Sequence, residues 1–211
     1  MITIHGRATS SNVQLVMWAI AELRLPHRRL DVGGSFGGTD TPEYRAMNPN
    51  GLVPVLQDQD VTLFESAAIL RYLAAKYGDD TFWPKDPAKR ASLDQWAEWG
   101  KVTFTPVVLR IFLQLVRTRE ADRDPAVTAD IAKDVGRLAK ILDQRLGVGS
   151  YLGGETLTFA DIPIGNLLYR YMTLPFEKAE TPNLDAYYKR LTERPAFAEH
   201  VMISYDSLRV K

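Results

Sequence analysis

Hydrophobic positions follow two periods in roughly the first eighty residues and one period after that. Ile2 to His5 is a short β-rich run, and Gly6 to Ser10 reads as a loop. From Ser11 the spacing becomes helical, with Val13, Val16, Met17, Ile20 and Leu23 on one face, until Pro26 stops it. His27 to Val32 predicts a second strand, Gly33 to Gly38 a flexible loop, and Pro42 with Glu43 the first turn of a short helix. Val53 to Gln57 and Val61 to Leu63 read as strands joined at Asp58-Gln59-Asp60. Glu65 opens a helix with Ile69, Leu70, Leu73 and Tyr77 on its buried face, and Gly78 ends it.

Beyond Asp80 the strand period disappears. Phe82 to Pro87 is a proline-bearing linker, and the rest is helical: Ala88 to Arg119, with a bend expected at Pro106, then Pro125 to Leu146, Phe159 to Met172, Leu184 to Thr192 and a last turn near Pro195. The order βαβ, αββα, then all helix divides the chain into an α/β domain over residues 1–80, a linker over 81–87 and an all-α domain over 88–211.

Composition narrows the chemistry. The 211 residues carry 26 Lys plus Arg against 26 Asp plus Glu, so no net charge marks a nucleic-acid or anionic-membrane partner. No cysteine is present, which removes thiol nucleophiles, CxxC redox chemistry and thiolate metal sites. His5, His27 and His200 show no metal-ligand spacing, so no metal is expected. The N-terminus lacks a basic leader and no apolar run reaches membrane-spanning length, so a cytoplasmic protein is expected. Gly33-Gly34-Ser35-Phe36-Gly37 matches a hydrolase nucleophile pattern but lacks the helix that pattern requires.

Two segments point to a peptide-like ligand. In Asn48-Pro49-Asn50-Gly51-Leu52-Val53-Pro54-Val55-Leu56, a cis bond between Val53 and Pro54 would present the Val53 backbone to an extended peptide. At Glu65-Ser66 the N–H groups of a helix start, the Ser66 hydroxyl and the Glu65 carboxylate suit the carboxylate and ammonium of an amino-acid head group.

Together these segments, with Phe64-Glu65-Ser66-Ala67-Ala68-Ile69-Leu70-Arg71-Tyr72, resemble the glutathione-binding half of the glutathione transferase family. The resemblance implies a thioredoxin-like N-terminal domain, an all-α C-terminal domain and glutathione as co-substrate. It places Val53 and Pro54 against the cysteinyl backbone of glutathione, and Glu65 and Ser66 against its γ-glutamyl end. It extends along the chain: Thr158-Phe159-Ala160-Asp161-Ile162 is similar to the family's capping box, with Thr158 capping a helix, Asp161 reaching back to its N–H and Leu157 stapled to Ile162.

The thiol of glutathione must lose its proton to become a good nucleophile, and a hydroxyl near a helix start favours the thiolate. The loop Arg7-Ala8-Thr9-Ser10-Ser11-Asn12 offers this hydroxyl. Ser10 matches the position of the family's catalytic serine, with Thr9 and Ser11 as alternatives. Asp40 stands where serine-type members place a base for the glycyl carboxylate, and it would repel that group. Trp96, Trp99, Thr103, Phe104 and Val107 are candidates for the electrophile site, with core or dimer contacts as the alternative for each, and Arg110, Arg117 and Arg119 either favour an anionic electrophile or, more simply, form a solvated face. The family implies a homodimer acting in detoxification on a small electrophile. Glutathione-dependent peroxidase or dehalogenase chemistry, or a non-catalytic binding role, are the alternatives.

Overall fold

The computed structural model describes residues 1–210. Strand β1 (Ile2–His5), helix α1 (Ser11–Glu22) and strand β2 (His27–Leu30) come first; α2 (Pro42–Met47) then leads to the hairpin β3 (Val55–Asp58) and β4 (Val61–Phe64), and α3 (Ser66–Tyr77) follows. The sheet runs in the order β2-β1-β3-β4. β1 is parallel to β2 and antiparallel to β3, and β3 is antiparallel to β4, with Ile4 opposite Leu56 and Leu56 opposite Leu63. This is the thioredoxin-like arrangement that the resemblance implies. β3 begins at Val55 rather than Val53, because Pro54 has no N–H to give the ladder. β2 ends at Leu30 rather than Val32, although the Arg7 N–H still reaches the Val32 carbonyl at 3.0 Å.

α1 is buried on nearly all sides from Val13 to Ile20. It packs against α3 on one flank and against the helical half on the other, so its spacing marks a core helix rather than a surface one. Trp18 is fully buried and meets Phe197 edge to face at 5.0 Å. Its indole N–H donates to Glu22 at 2.8 Å, and Glu22 in turn holds Arg194, whose Nε lies 2.8 Å away. A side chain of the last helices is thereby fixed to the first one.

From Pro87 to Arg117 the chain is one continuous helix of 31 residues. Asp86 caps it, accepting from the Lys89 N–H at 2.6 Å. α4 (Pro87–Trp99) and α5 (Thr105–Phe112) are joined by a π-helical turn at Gly100–Phe104, and a second such turn follows at Leu113–Arg117. Pro106 cannot donate to a preceding carbonyl, and the widened turn just before it absorbs that loss without ending the helix. By length and composition this helix could cross a membrane, an 18-residue window of it having a mean hydropathy of 1.2, a correction to the expectation that no apolar run reaches that length. Phe104, Val108, Ile111 and Phe112 bury its apolar face in the core of this protein.

α6 (Pro125–Leu146) follows, then α7 (Asp161–Gly165), α8 (Leu168–Thr173), α9 (Pro182–Thr192) and α10 (Pro195–His200). The single helix expected over Phe159–Met172 is thus two. At Leu167 the N–H turns to the Ile164 carbonyl, three residues back, at 3.3 Å, which tightens the chain between them. The capping box is formed on the Asp161 side, whereas α7 itself has Ala160 at its N-cap and the Asp161 N–H goes to the Thr158 carbonyl at 3.1 Å. Asp161 accepts from the Thr158 N–H at 2.8 Å, and the Thr158 hydroxyl accepts from the Ala160 N–H at 3.3 Å. Asp161 also accepts from the Leu152 N–H and the Tyr187 hydroxyl, at 2.9 and 3.0 Å, while fully buried.

Candidate functional site

The loop between β1 and α1 is held on both flanks by the helical half. Arg170 on α8 donates to the Thr9 carbonyl at 2.8 Å, and Asn166 donates to the Ser11 carbonyl at 3.0 Å. Ser10 stands between them at the N-cap of α1, in extended backbone geometry, and its hydroxyl makes no capping bond. That hydroxyl therefore stays available at the positive end of the helix. Ser10 lines a cavity of about 340 Å³ together with Arg7, Asn12, Gly33, Thr39 and Val53, whereas Thr9 and Ser11 do not line it. Gly34, with φ at +61°, allows the Arg7 side chain to lie across it; a Cβ there would come within 3.0 Å of Arg7 Cδ.

The opposite wall is set by α2. The Tyr44 hydroxyl and the Asn48 amide both donate to the Leu52 carbonyl at 2.8 Å, which fixes the backbone leading into Val53. Burial pushes the Tyr44 hydroxyl up to about 12, so it stays a donor. The Val53–Pro54 bond is cis.

The third side is the start of α3. Glu65 has φ 68° and ψ 110°, a region that non-glycine residues rarely occupy and that costs roughly 1–3 kcal/mol. Such strain persists where surroundings enforce it, and here it turns the chain abruptly from β4 into α3. Ser66 is buried, and its hydroxyl donates to Asn12 Oδ1 at 3.3 Å. Lys101 arrives from the helical half, with its Nζ 2.7 Å from Asn12 Oδ1 and 2.9 Å from Ser66 Oγ. Burial lowers the Lys101 pKa, opposed by the charges of Glu65 and Glu98. The cavity thus combines a free hydroxyl with the strand-entrance backbone at Val53, and behind its lining residue Asn12 lies a helix start with a cation beside it.

The comparisons with known proteins agree with this geometry. Residues 4–81 match the model of the glutathione S-transferase N-terminal domain, and residues 104–195 match that of the C-terminal domain. The chain is 38% identical to glutathione S-transferase GstB of Escherichia coli over 205 residues, 96% of this chain and 99% of that protein. It is 34% identical to glutathione S-transferase F13 of Arabidopsis thaliana over 163 residues, 74% of each. Among solved structures it is similar to the glutathione-bound theta class glutathione S-transferase of Xanthomonas axonopodis pv. citri, with a TM-score of 0.90 and 44% identity over 96% of this chain and 98% of that one. This chain belongs to the glutathione S-transferase family.

In this transferase the expected residues divide. Ser10 and Val53 share the cavity, and Ser66 joins it through Asn12. Pro54 is buried behind Val53, and Glu65 forms the strained corner. The electrophile candidates do not line the cavity. Phe104 is fully buried and stacked on Trp99 at 5.7 Å, so its ring belongs to the core, a correction to the expectation. Trp96 packs under the Arg145 guanidinium at 5.7 Å, toward α6. Thr103 and Val107 are half-buried on the long helix. Asp40 is exposed and outside the cavity, while its neighbour Thr39 lines it. A surface groove of about 1000 Å³ between α6 and residues 175–179 contains none of these residues.

Sequence reading missed Lys101. Its signal was a lone basic residue inside the apolar stretch from Trp99 to Phe104. It also left Arg7 without a role, although that residue opens the loop carrying Ser10.

Proposed function

We propose that this transferase binds glutathione in the cavity between the Ser10 loop, Val53 and Ser66, and joins its sulfur to a small, mostly hydrophobic electrophile. Residues 1–80 form the glutathione-binding domain, and residues 88–211 supply the second pocket. The Val53 backbone pairs with the cysteinyl unit, and Pro54 shapes that strand entrance. Ser66, the first-turn N–H groups of α3 and the Lys101 ammonium take the γ-glutamyl carboxylate, and Glu65 takes its ammonium.

The Ser10 hydroxyl donates to the sulfur and favours the thiolate. In the reaction the sulfur lone pair forms a bond to the electrophilic carbon, and the leaving group departs with its bonding pair. The thiol proton passes to solvent. The observation that carries this reading is the Ser10 hydroxyl, unused as a cap and open to the same cavity as Val53. Family membership further supports a cytoplasmic homodimer in detoxification, with α3 and α4 meeting their counterparts.

Retention on immobilised glutathione together with turnover of chlorodinitrobenzene is the expected result. Retention without turnover of any of several electrophiles would instead mark a binding protein.

A further inference from the structure

Several arginines in this chain hold carboxylates: Arg71 pairs with Asp94 and Glu98, Arg194 with Glu22, and Arg209 with Asp206. Arg110 and Arg119 also have acidic partners, Asp134 at 3.6 Å and Asp122 at 2.7 Å, so they are surface pairs. Three others have no such partner among the described residues, and two of them, Arg7 and Arg170, lie at the Ser10 loop. Arg170 is 5% exposed, its guanidinium lies 4.4 Å from the centre of the Phe112 ring, and its one hydrogen bond is to the Thr9 carbonyl. Arg117 ends the long helix with only a 3.4 Å bond to the Leu208 carbonyl. Arg7 lies across Gly34 at the cavity wall.

Among the described residues no carboxylate pairs with any of the three. They act on one another instead. Burial, and then the charge of Arg117, lowers Arg7. Burial brings Arg170 down to about 10; Tyr205 opposes this, and the charges of Arg7 and Arg117 add to it. Protein interiors rarely hold a cation without a counter-ion, because desolvation is not repaid. Of the three only Arg170 is buried, with Arg7 half-buried and Arg117 exposed, and unpaired like charges next to a reactive loop suit an anionic ligand.

We propose that Arg170, Arg117 and Arg7 form an anion site for the second substrate, so that this transferase acts on small electrophiles bearing a carboxylate or a similar anionic group. The proposal rests on the transferase reading above. Glutathione brings a carboxylate of its own at the glycyl end. Arg170 and Arg117 stand on the helical half, however, whereas Gly51 and Val53, which frame the peptide, stand on the other. Arg170 is anchored on the residue next to Ser10, so a bound anion places the rest of the electrophile within reach of the sulfur.

The test uses para-chloro-meta-nitrobenzoate and the matching benzamide. With either, the sulfur bonds to the ring carbon bearing chlorine, chloride leaves with the bonding pair and the thiol proton goes to solvent. Each enzymatic kcat/KM is divided by the uncatalysed rate with glutathione, which removes the difference in intrinsic reactivity. The benzoate is expected to be favoured by about tenfold or more. Arg117 is exposed, so Arg117→Gln should fold; it is expected to lose most of the preference, and Arg117→Lys to restore part of it. Equal normalised rates in the unmodified protein, or an unchanged preference in Arg117→Gln, overturn the proposal. A raised KM for glutathione in Arg117→Gln with the preference intact also overturns it, assigning the cluster to the glycyl carboxylate. Calorimetric titration of meta-nitrobenzoate in the presence of S-methylglutathione separates the two readings. Binding of the benzoate but not of the benzamide analogue, without turnover of either electrophile, supports the anion site while the transferase reading fails. Turnover of both electrophiles with no carboxylate preference does the reverse.

Discussion

Lys101 and Ser66 come from different halves of the chain and meet with 2.9 Å between Nζ and Oγ. The contact brings a half-buried ammonium to the start of α3, where the helix already presents free N–H groups. Two positive features side by side suit a carboxylate better than either does alone. Lys101→Met is expected to weaken binding of S-methylglutathione by about tenfold or more, the loss of one charge-assisted bond.

The same lysine sets a pH limit on binding. Burial lowers its pKa, partly offset by Glu65 and Glu98. The ammonium is the form that binds a carboxylate, so affinity is full below the lowered pKa and falls as pH rises through it. Calorimetry from neutral to alkaline pH should show this decline beginning below the ordinary lysine range, with a flatter profile in Lys101→Met. Parallel profiles would remove Lys101 from the site.

Asp58 closes the β-hairpin onto α3. It is buried, and it accepts from the Tyr72 hydroxyl and the Lys76 ammonium at 2.9 Å and from the Tyr77 hydroxyl at 2.5 Å. Burial alone would raise its pKa, but the bonds from Tyr77, Lys76 and Tyr72 outweigh that, and the carboxyl titrates below its usual range. A depressed folded pKa means stability present above the unfolded value, near about 4, and lost as pH falls through the folded one. Asp58→Asn is expected to cost about 1–2 kcal/mol at neutral pH and to flatten the fall of melting temperature in acid. Melting curves that stay parallel from pH 7 into acid would show that the carboxylate contributes nothing there.

Asp161 does more than cap a helix. Its carboxylate accepts from the N–H groups of Leu152 and Thr158 and from the hydroxyls of Thr158 and Tyr187. A simple capping residue is worth about 0.5–2 kcal/mol. Asp161→Ala leaves buried donors without an acceptor and is expected to cost about 3–5 kcal/mol, read from urea unfolding. A loss no larger than that of an exposed cap would mean that these donors find water or other partners.

The parts of the fold that could be read in advance are those set by local chemistry. The spacing of Val13, Val16 and Ile20, the proline at the start of β3 and the Thr158–Asp161 box each depend on residues close together in sequence. The Lys101 contact spans 89 positions, and no local pattern encodes which side chain of the long helix points at Asn12. Phe104 falls on the buried stripe Leu93, Ala97, Gly100, Phe104, Val108 and Ile111, which ordinary helical spacing gives even through the π-helical segment, so its place in the core was legible in the sequence. The arginine cluster was only partly visible. Arg117 stood out with Arg110 and Arg119, but only the packed structure shows that those two are paired and that Arg170 is buried beside Thr9.

The sharpest expectation concerns Ser10. Its hydroxyl makes no cap and the residue lines the cavity, while the backbone on either side is held by Arg170 and Asn166. A loop pinned at both flanks keeps the hydroxyl in place without help from its own side chain. A hydrogen bond to a charged sulfur is worth roughly 1.5–3 kcal/mol. Ser10→Ala should therefore raise the pKa of bound glutathione thiol by about one to two units and slow conjugation about 10- to 100-fold near neutral pH. Binding of glutathione should change far less, because Val53, Ser66 and Lys101 remain. Thr9→Ala and Ser11→Ala should keep most of the activity, since both residues contribute backbone carbonyls to the inter-domain bonds rather than side chains to the cavity. Thiolate absorbance titrated against pH in the three variants decides the matter. A normal thiolate titration in Ser10→Ala with a shifted one in a neighbour would move the role along the loop. Normal titrations in all three would transfer it to a backbone N–H of α1 or to the Asn12 amide.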